Sequence, residues 1–501
     1  MSAEGTTGDR RGPVGRLVLP DSGPVIARLF HAALGLVFVV AFASLAAQIG
    51  PLFAADGLAP IAGALAQARA AGQGLWATPT IFGWSDSDAA LQVTAIVGAS
   101  LGALALLGLA PRVCLGLATL LYLSFVSVGA PFLGFQWDSL LVECGLLAVV
   151  LPRDRPSPGA HALLLFLWFK LYFESGLAKW HSPLGDWQDG SAMAFYYETA
   201  PLPGPLAWYA HHLPGWWHAL ESRATLVLEL PVALLAFCGR RGRLAAFCGL
   251  TLLQALNLAT ANYGFFVYLA LALHLFLLRD ADLLRVLARL PGRRAWGRAL
   301  VPPDPAPAAR RPRLGAALLG GFAALYLGLS LADARVRLGG DREGLAWALQ
   351  PYYAQLRAIN SYHLFAAITR ERVEPEFAGF DGAAWRTYDL FYKPGPPGRR
   401  PPLVAPHQPR LDFQLWFYGL RAEGPPPAYV RRLLERLCRA PARVQPLFAA
   451  PLLPAPTRVR VRFWRYTFTA PGEADWWRRE PAAPERVLTC PSSQTNAFGT
   501  Q

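Results

Sequence analysis

Charge is the scarcest commodity in this chain. Only 16% of its 501 residues are Asp, Glu, Lys or Arg, against roughly 25% in an average soluble protein. With 53% hydrophobic residues gathered into runs, that shortage excludes a single water-soluble core. Lysine is nearly missing and occurs only as Lys170, Lys179 and Lys393, so the net charge of +14 belongs to arginine. No nucleic-acid-reading module accompanies the arginines. Arginine in place of lysine, with abundant Ala, Gly and Pro, fits a GC-rich, bacterial genome instead. The six cysteines are scattered, and no CxxC or Cys/His spacing offers a metal site. Cys114, Cys144, Cys238 and Cys248 lie in or beside apolar runs, as small core residues do. Cys438 and Cys490 can pair if their region faces an oxidising compartment. A nucleophile elbow, a Gly-rich phosphate loop and HExxH are all missing. Nothing therefore supports an enzyme, although none is excluded, and no cofactor or metal is expected.

What is present are apolar stretches with few charges, each long enough to approach the ~20 residues that cross a hydrocarbon core. They predict a mainly α, polytopic membrane protein of about nine spans between Leu29 and Ala332. The fourth, Ser139–Leu151, is short, and the sixth, Ala224–Cys238, is interrupted by Pro231. A polar, uncleaved N-terminus (residues 1–25) carries Arg10, Arg11 and Arg16. These arginines, with Arg28, Arg112, Arg153, Arg155, Arg240, Arg241, Arg243 and the basic Pro-rich linker from Arg279 to Arg313, all fall on one side if nine spans are right. The expectation is a cytoplasmic N-terminus and an exported C-terminus; an even number of spans reverses the latter. After residue 332 the character changes. PEFAGFDGAAWRTYDLFYKPG reads as two strands about an Asp-Gly turn. Arg458–Thr469 alternates arginine with apolar residues, as a half-buried strand does. Residues 333–490 are thus expected to form a β-rich soluble domain with a helix near Tyr429–Cys438, followed by a flexible tail, 491–501.

One connection stands apart. Within the loop 179–223, WQDGSAMAFYYETAPLPGPLAWYAHHLP from Trp187 to Pro214 is long, aromatic and proline-stiffened. It holds Asp189, Tyr196, Tyr197, Glu198, Trp208, Tyr209, His211 and His212. This string closely resembles the signature loop of the lipase maturation factor family. Four further segments are similar to family motifs in the same order. They are GFQWDSLLVECGLLAVVL with Trp137 and Asp138, FKLYFESGLAKW with Lys179, LNLATANYGFFVYLALAL with Asn262, and the pair INSYHLFAAITR and YKPGPPGRRPPLVAPHQPRLDFQLWF. The likeness spans about Gly134 to Thr469 and is not visible in the first two spans. Where the family has Trp-Arg-Asp, this chain has Trp187-Gln188-Asp189, and the family's Gly-Ser before the Asp-Gly turn is lost. The resemblance implies a non-catalytic maturation factor that helps exported proteins fold, secreted lipases in the animal members, which reside in the endoplasmic-reticulum membrane. For a bacterial member it implies the inner membrane, with the lipid bilayer and an exported client as partners.

Several side chains carry chemistry. Lys170 and Glu174, four residues apart on one helical face, can pair. An intramembrane charge is a functional candidate, and a structural ion pair is the alternative. Glu143 and Glu229 can join them. Adjacent histidines diverge and chelate poorly, so His211 and His212, among Trp208, Tyr209, Trp216 and Trp217, read as an amphipathic helix at the membrane surface. His407, Gln408, Arg410 and Asp412 form a polar string that either binds a client or is held by internal hydrogen bonds. A second reading of the whole chain is a membrane enzyme or transporter built around Lys170, Glu174 and the loop.

Overall fold

In the computed structural model, residues 23–289, 313–338 and 344–491 are described. The arginine-rich N-terminus, most of the Pro-rich linker and the tail lie outside them. Helix α1 (Pro24–Ala46) opens on Pro24, whose missing N–H costs nothing in a first turn. Helix α2 (Asp88–Leu106) is capped by Ser87, which accepts the Ala90 N–H at 3.2 Å. The two helices cross at glycines. A Cβ on Gly35 would lie 2.7 Å from the Gly102 carbonyl oxygen, and one on Gly102 2.8 Å from that of Gly35. Small residues let the backbones close where lipid supplies no hydrophobic drive.

The bundle continues with α3 (Pro111–Val128), α4 (Gln136–Val150) and α5 (Pro158–Trp180). After the loop come α6 (Gly215–Val227), α7 (Gly239–Thr260), α8 (Phe266–His274) and α9 (Arg313–Leu338). By length and apolarity five of these helices can cross a membrane: α1, α2, α3, α7 and the Ala317–Val336 part of α9. The other expected spans are of a different kind. Helix α4 is short, and α5 is long but carries Lys170, Glu174 and Lys179, all buried. The sixth breaks into a wide turn, Leu228–Val232, where Pro231 has no N–H to give, and α8 runs only nine residues before tightening.

The C-terminal part is built on a four-stranded antiparallel sheet in the order β2-β1-β3-β4. Strands β1 (Arg372–Phe380) and β2 (Trp385–Tyr388) flank Asp381-Gly382, where Gly382 takes a φ of +105°. Strand β3 (Arg458–Phe468) is the expected alternating strand, and β4 (Trp477–Thr489) closes the sheet. Between β2 and β3 lie α10 (Arg410–Gly419) and α11 (Ala428–Arg439). Helix α11 buries Tyr429, Val430, Leu433, Leu434 and Leu437, and a Cys438–Cys490 disulfide ties its end to the chain after β4. The two faces of β3 do different work. Val459, Val461 and Phe463 face the helical side, where Phe463 meets Tyr418, whereas Tyr466 and Phe468 pack on Trp477 toward the loop.

Candidate functional site: a polar interlock

A buried carboxylate organises the centre of the bundle. Glu143, on α4, is fully buried and accepts four donors. Lys170 comes from α5, the Tyr326 hydroxyl (2.6 Å) from α9, and the Asn360 amide (2.8 Å) and Tyr362 hydroxyl (2.6 Å) from the C-terminal segment. The ammonium of Lys170 also faces the rings of Tyr326 and Tyr362 at 5.3 and 5.5 Å. The expected Lys170–Glu174 bond is therefore corrected. Lys170 binds the carboxylate on the neighbouring helix, and Glu174 accepts the Tyr362 N–H at 2.8 Å. Glu143 joins the cluster as expected, but Glu229 does not; it pairs with Lys179 at 2.7 Å. A buried charge is tolerable only when paired and hydrogen-bonded, and both carboxylates meet that condition.

The same C-terminal segment stays laced to the helices for several residues. Ser361 bonds Asp333 at 2.7 Å, and the His363 N–H reaches Gln136 at 2.9 Å. The Leu364 carbonyl receives Lys179 at 2.9 Å, and the Phe365 carbonyl the Trp187 indole at 3.1 Å. Asp186 then takes the Ile368 N–H at 2.8 Å. This strap, residues 360–368, runs over the bundle without regular hydrogen bonds of its own, and the bundle's polar side chains satisfy it.

A second clasp comes from the Pro-His-Gln-Pro-Arg-Leu-Asp string. Arg410 lies fully inside and forks onto Asp138 at 2.8 and 2.9 Å, with Tyr122 bonding both partners. Asp138 also receives the N–H groups of Gly134 and Phe135, each at 3.1 Å, as the cap of α4. Around it, Ser44 meets His407 at 2.9 Å, and Gln48 takes the Arg410 N–H at 2.7 Å. Asn262 accepts Val404 and Ala405 N–H and donates to the Pro203 and Pro402 carbonyls. Beside it, Gly264 takes a φ of +52°, and any Cβ there would strike Gln408. Burial pushes Asp412 up to about 6 even though it accepts the Tyr392 N–H, and burial lowers His407. Of this string, the side chains of His407, Arg410 and Asp412 make internal hydrogen bonds.

The signature loop fills the space between bundle and sheet. Arg372 at the start of β1 is fully buried and donates to the carbonyls of Glu198, Ala200 and Pro201. Its charge is met by Glu374 at 2.7 Å, which also holds Lys393 at 2.7 Å. Burial lowers both cations. Glu198 accepts the Phe468 N–H at 2.6 Å and is raised by burial; His211, 3.8 Å away, is lowered by burial to about 4. Trp208 bonds Thr469 at 3.2 Å and packs edge-on against Trp476. The surface-helix reading therefore does not extend to Trp208 and His211. Trp208 and His211 face the sheet, His212 bonds back to the Trp208 carbonyl, and Tyr209, Trp216 and Trp217 keep exposed faces beside Leu206, Leu213 and Leu220. Tyr196 meets the Tyr263 hydroxyl at 2.8 Å and Tyr197 meets Glu221 at 2.9 Å, while exposed Asp189 only stabilises the turn at Ser191. Trp137, buried, stacks on Phe135.

Sequence reasoning missed Ser44, Gln48, Tyr122, Tyr326 and Arg372. The first four are polar groups inside apolar runs, which is the available signal, because a polar side chain there needs a partner. Arg372 gave none.

Residues 25–285 match the lipase maturation factor transmembrane domain, and residues 358–485 match the lipase maturation factor C-terminal domain. The chain is similar to lipase maturation factor 2 of Homo sapiens, 32% identical over 95% of this chain and 84% of that protein. It is also similar to lipase maturation factor 1 of Bos taurus, 30% identical over 90% of this chain and 86% of its relative. The likeness thus begins at residue 25 and takes in the first two apolar helices, which the motifs alone had left out. No solved structure matches.

Proposed function

The chain belongs to the lipase maturation factor family, and we propose from that premise that it is a membrane-embedded factor assisting exported proteins, lipases among them, to reach their active form. It is an integral membrane protein. We place it in a bacterial inner membrane, with residues after 332 and the signature loop on the exported side. The observation that carries the reading is how the polar groups are spent. Glu143, Lys170, Lys179, Glu229, Asp138 and Arg410 each bond another part of the chain, so they brace a scaffold. In and beside the signature loop, Trp180, Leu184, Tyr209, Leu213, Trp216 and Leu220 are all more than two-fifths exposed. An apolar face of this kind suits holding an incompletely folded client. The test is co-expression with a lipase and measurement of active enzyme per amount of lipase protein. Trp216→Ser with Leu220→Ser should lower that ratio while the factor still accumulates in the membrane. An unchanged ratio sinks the docking surface; loss with Glu198→Gln alone would move the function to acid–base chemistry.

A further inference from the structure

A chamber of about 320 Å³ lies where the strap, the start of α4, the signature loop and α10 meet. Its walls are largely aromatic and include Trp137, Tyr196, Tyr263, Phe365, Phe413 and Trp416. The rings already meet one another edge-on, Trp137 with Phe413 at 4.8 Å and Tyr196 with Phe365 at 5.9 Å. Ala367 and Phe417, which also line it, are exposed, so the space is reached from outside. Its volume is at the low end of small-molecule sites, about 300–1,000 Å³, with room for a bulky side chain and the main chain beside it.

The polar groups of the walls select what enters. The indole N–H of Trp416 goes to the Thr199 carbonyl at 2.9 Å, and the hydroxyls of Tyr196 and Tyr263 share a bond of 2.8 Å. The indole N–H of Trp137 is buried and has no hydrogen-bond partner among the described residues. A buried donor left unpaired is costly, so a fitting occupant brings an acceptor. A bare hydrocarbon chain brings none. On the strap, the main-chain groups of Ala366 and Ala367 likewise make no hydrogen bond among the described residues. Phe365 before them is held at a φ of +53°, where bulky residues are rare, with its carbonyl tied to Trp187 at 3.1 Å. A turn fixed in this way presents main-chain groups beside an aromatic pocket. Main-chain bonds for affinity with a pocket for a side chain are how extended peptides are recognised, and aromatic walls favour an aromatic ring.

We propose that the chamber receives an aromatic side chain from an extended, unfolded stretch of the exported client. A backbone carbonyl of that stretch accepts the Trp137 N–H, and its neighbours bond Ala366 and Ala367. The inference rests on the client-assisting function above and names the part of the client that is held.

The test uses the full chain in nanodiscs of phosphatidylcholine. The probe is a short acetylated, amidated alanine peptide whose central phenylalanine bears a ring diazirine. Adducts mapped by mass spectrometry after irradiation should fall on residues 364–369 or 413–417. Ala366→Trp, which fills the chamber, should reduce them about tenfold or more. Trp137→Phe keeps the ring and removes only the donor, and should reduce them about two- to tenfold. The same aryl diazirine without a peptide offers no carbonyl. Its chamber adducts should be equal with and without Trp137→Phe, which separates the lost hydrogen bond from altered packing. Unlabelled phenylalanine peptide should displace the probe, and its glutamate counterpart should not. Adducts confined to other surfaces, labelling unaffected by both variants, or an equal loss of peptide and aryl labels on Trp137→Phe would overturn the proposal. So would displacement by palmitate and not by the phenylalanine peptide. The site and the function fail separately. An unlabelled chamber with active lipase still lowered by Trp216→Ser with Leu220→Ser overturns the site and spares the function; a labelled chamber with active lipase unaffected by that pair does the reverse.

Discussion

Arg410→Leu should loosen the C-terminal part from the bundle, and its magnitude follows from the pair's surroundings. The Asp138 side chain is wholly buried and that of Arg410 is 2% exposed. Without the guanidinium, the carboxylate keeps Tyr122 and two backbone N–H groups but no counter-charge. Removing one partner of a buried pair typically costs ~3–5 kcal/mol. At ~1.4 kcal/mol per factor of ten, the open state should become about a hundred to a few thousand times more populated. Native-state proteolysis of detergent-purified protein reads that population when reclosing outpaces cleavage, and cutting within 400–410 should accelerate to match. Asp138→Asn keeps an oxygen for the α4 cap yet strands the cation, so alone it should be comparably harmful. Combined with Arg410→Leu it should recover most of the loss, since removing both charges can be nearly neutral. A double variant as damaged as the two losses added, or Arg410→Leu at the wild-type rate, would refute the clasp.

The other expectations are simpler. Lys170→Met should reduce accumulation in membranes by leaving Glu143 without its cation, and adding Glu143→Gln should restore it; rescue by Glu174→Leu instead would reinstate the same-helix pair. His211 is held below its usual 6.5, at about 4, so the folded state favours its neutral form. Its contribution is complete above pH 6.5 and declines as pH falls toward 4, while Glu198, raised by burial, works in the opposite direction. His211→Gln should therefore flatten the loss of thermal stability between pH 6.5 and 4, and an unchanged profile argues against the assignment. Gly35→Val should force α1 from α2 and cost about 1–3 kcal/mol as overpacking does, seen as a lowered melting temperature; a wild-type melt would contradict the close crossing.

The apolar runs, the Asp-Gly hairpin, the alternating strand at 458–468 and the helix ending near Cys438 were legible because each is a local periodicity. Lys170 was misjudged for the same reason. Four-residue spacing exposes neighbours on one helix, whereas Glu143 reaches it from another. Trp208 showed an amphipathic pattern, and nothing in that pattern distinguishes a lipid surface from a protein sheet. The strap could be noticed only as part of the motif INSYHLFAAITR, and its contacts were not legible because it has no periodicity; its order comes from side chains up to 227 positions away.

That separation sets an order of events during synthesis. Glu143 and Lys170 leave the ribosome well before Tyr362, which follows Glu143 by 219 residues. At ~5–20 residues per second the interval is about ten to forty seconds. For most of it the young bundle holds a carboxylate and an ammonium with three of the four final donors, Tyr326, Asn360 and Tyr362, still unmade, and Asp138 waits longer for Arg410. The N-terminal half is therefore itself an unfinished membrane protein for a time, and its last hundred or so residues arrive as the keystone that completes it.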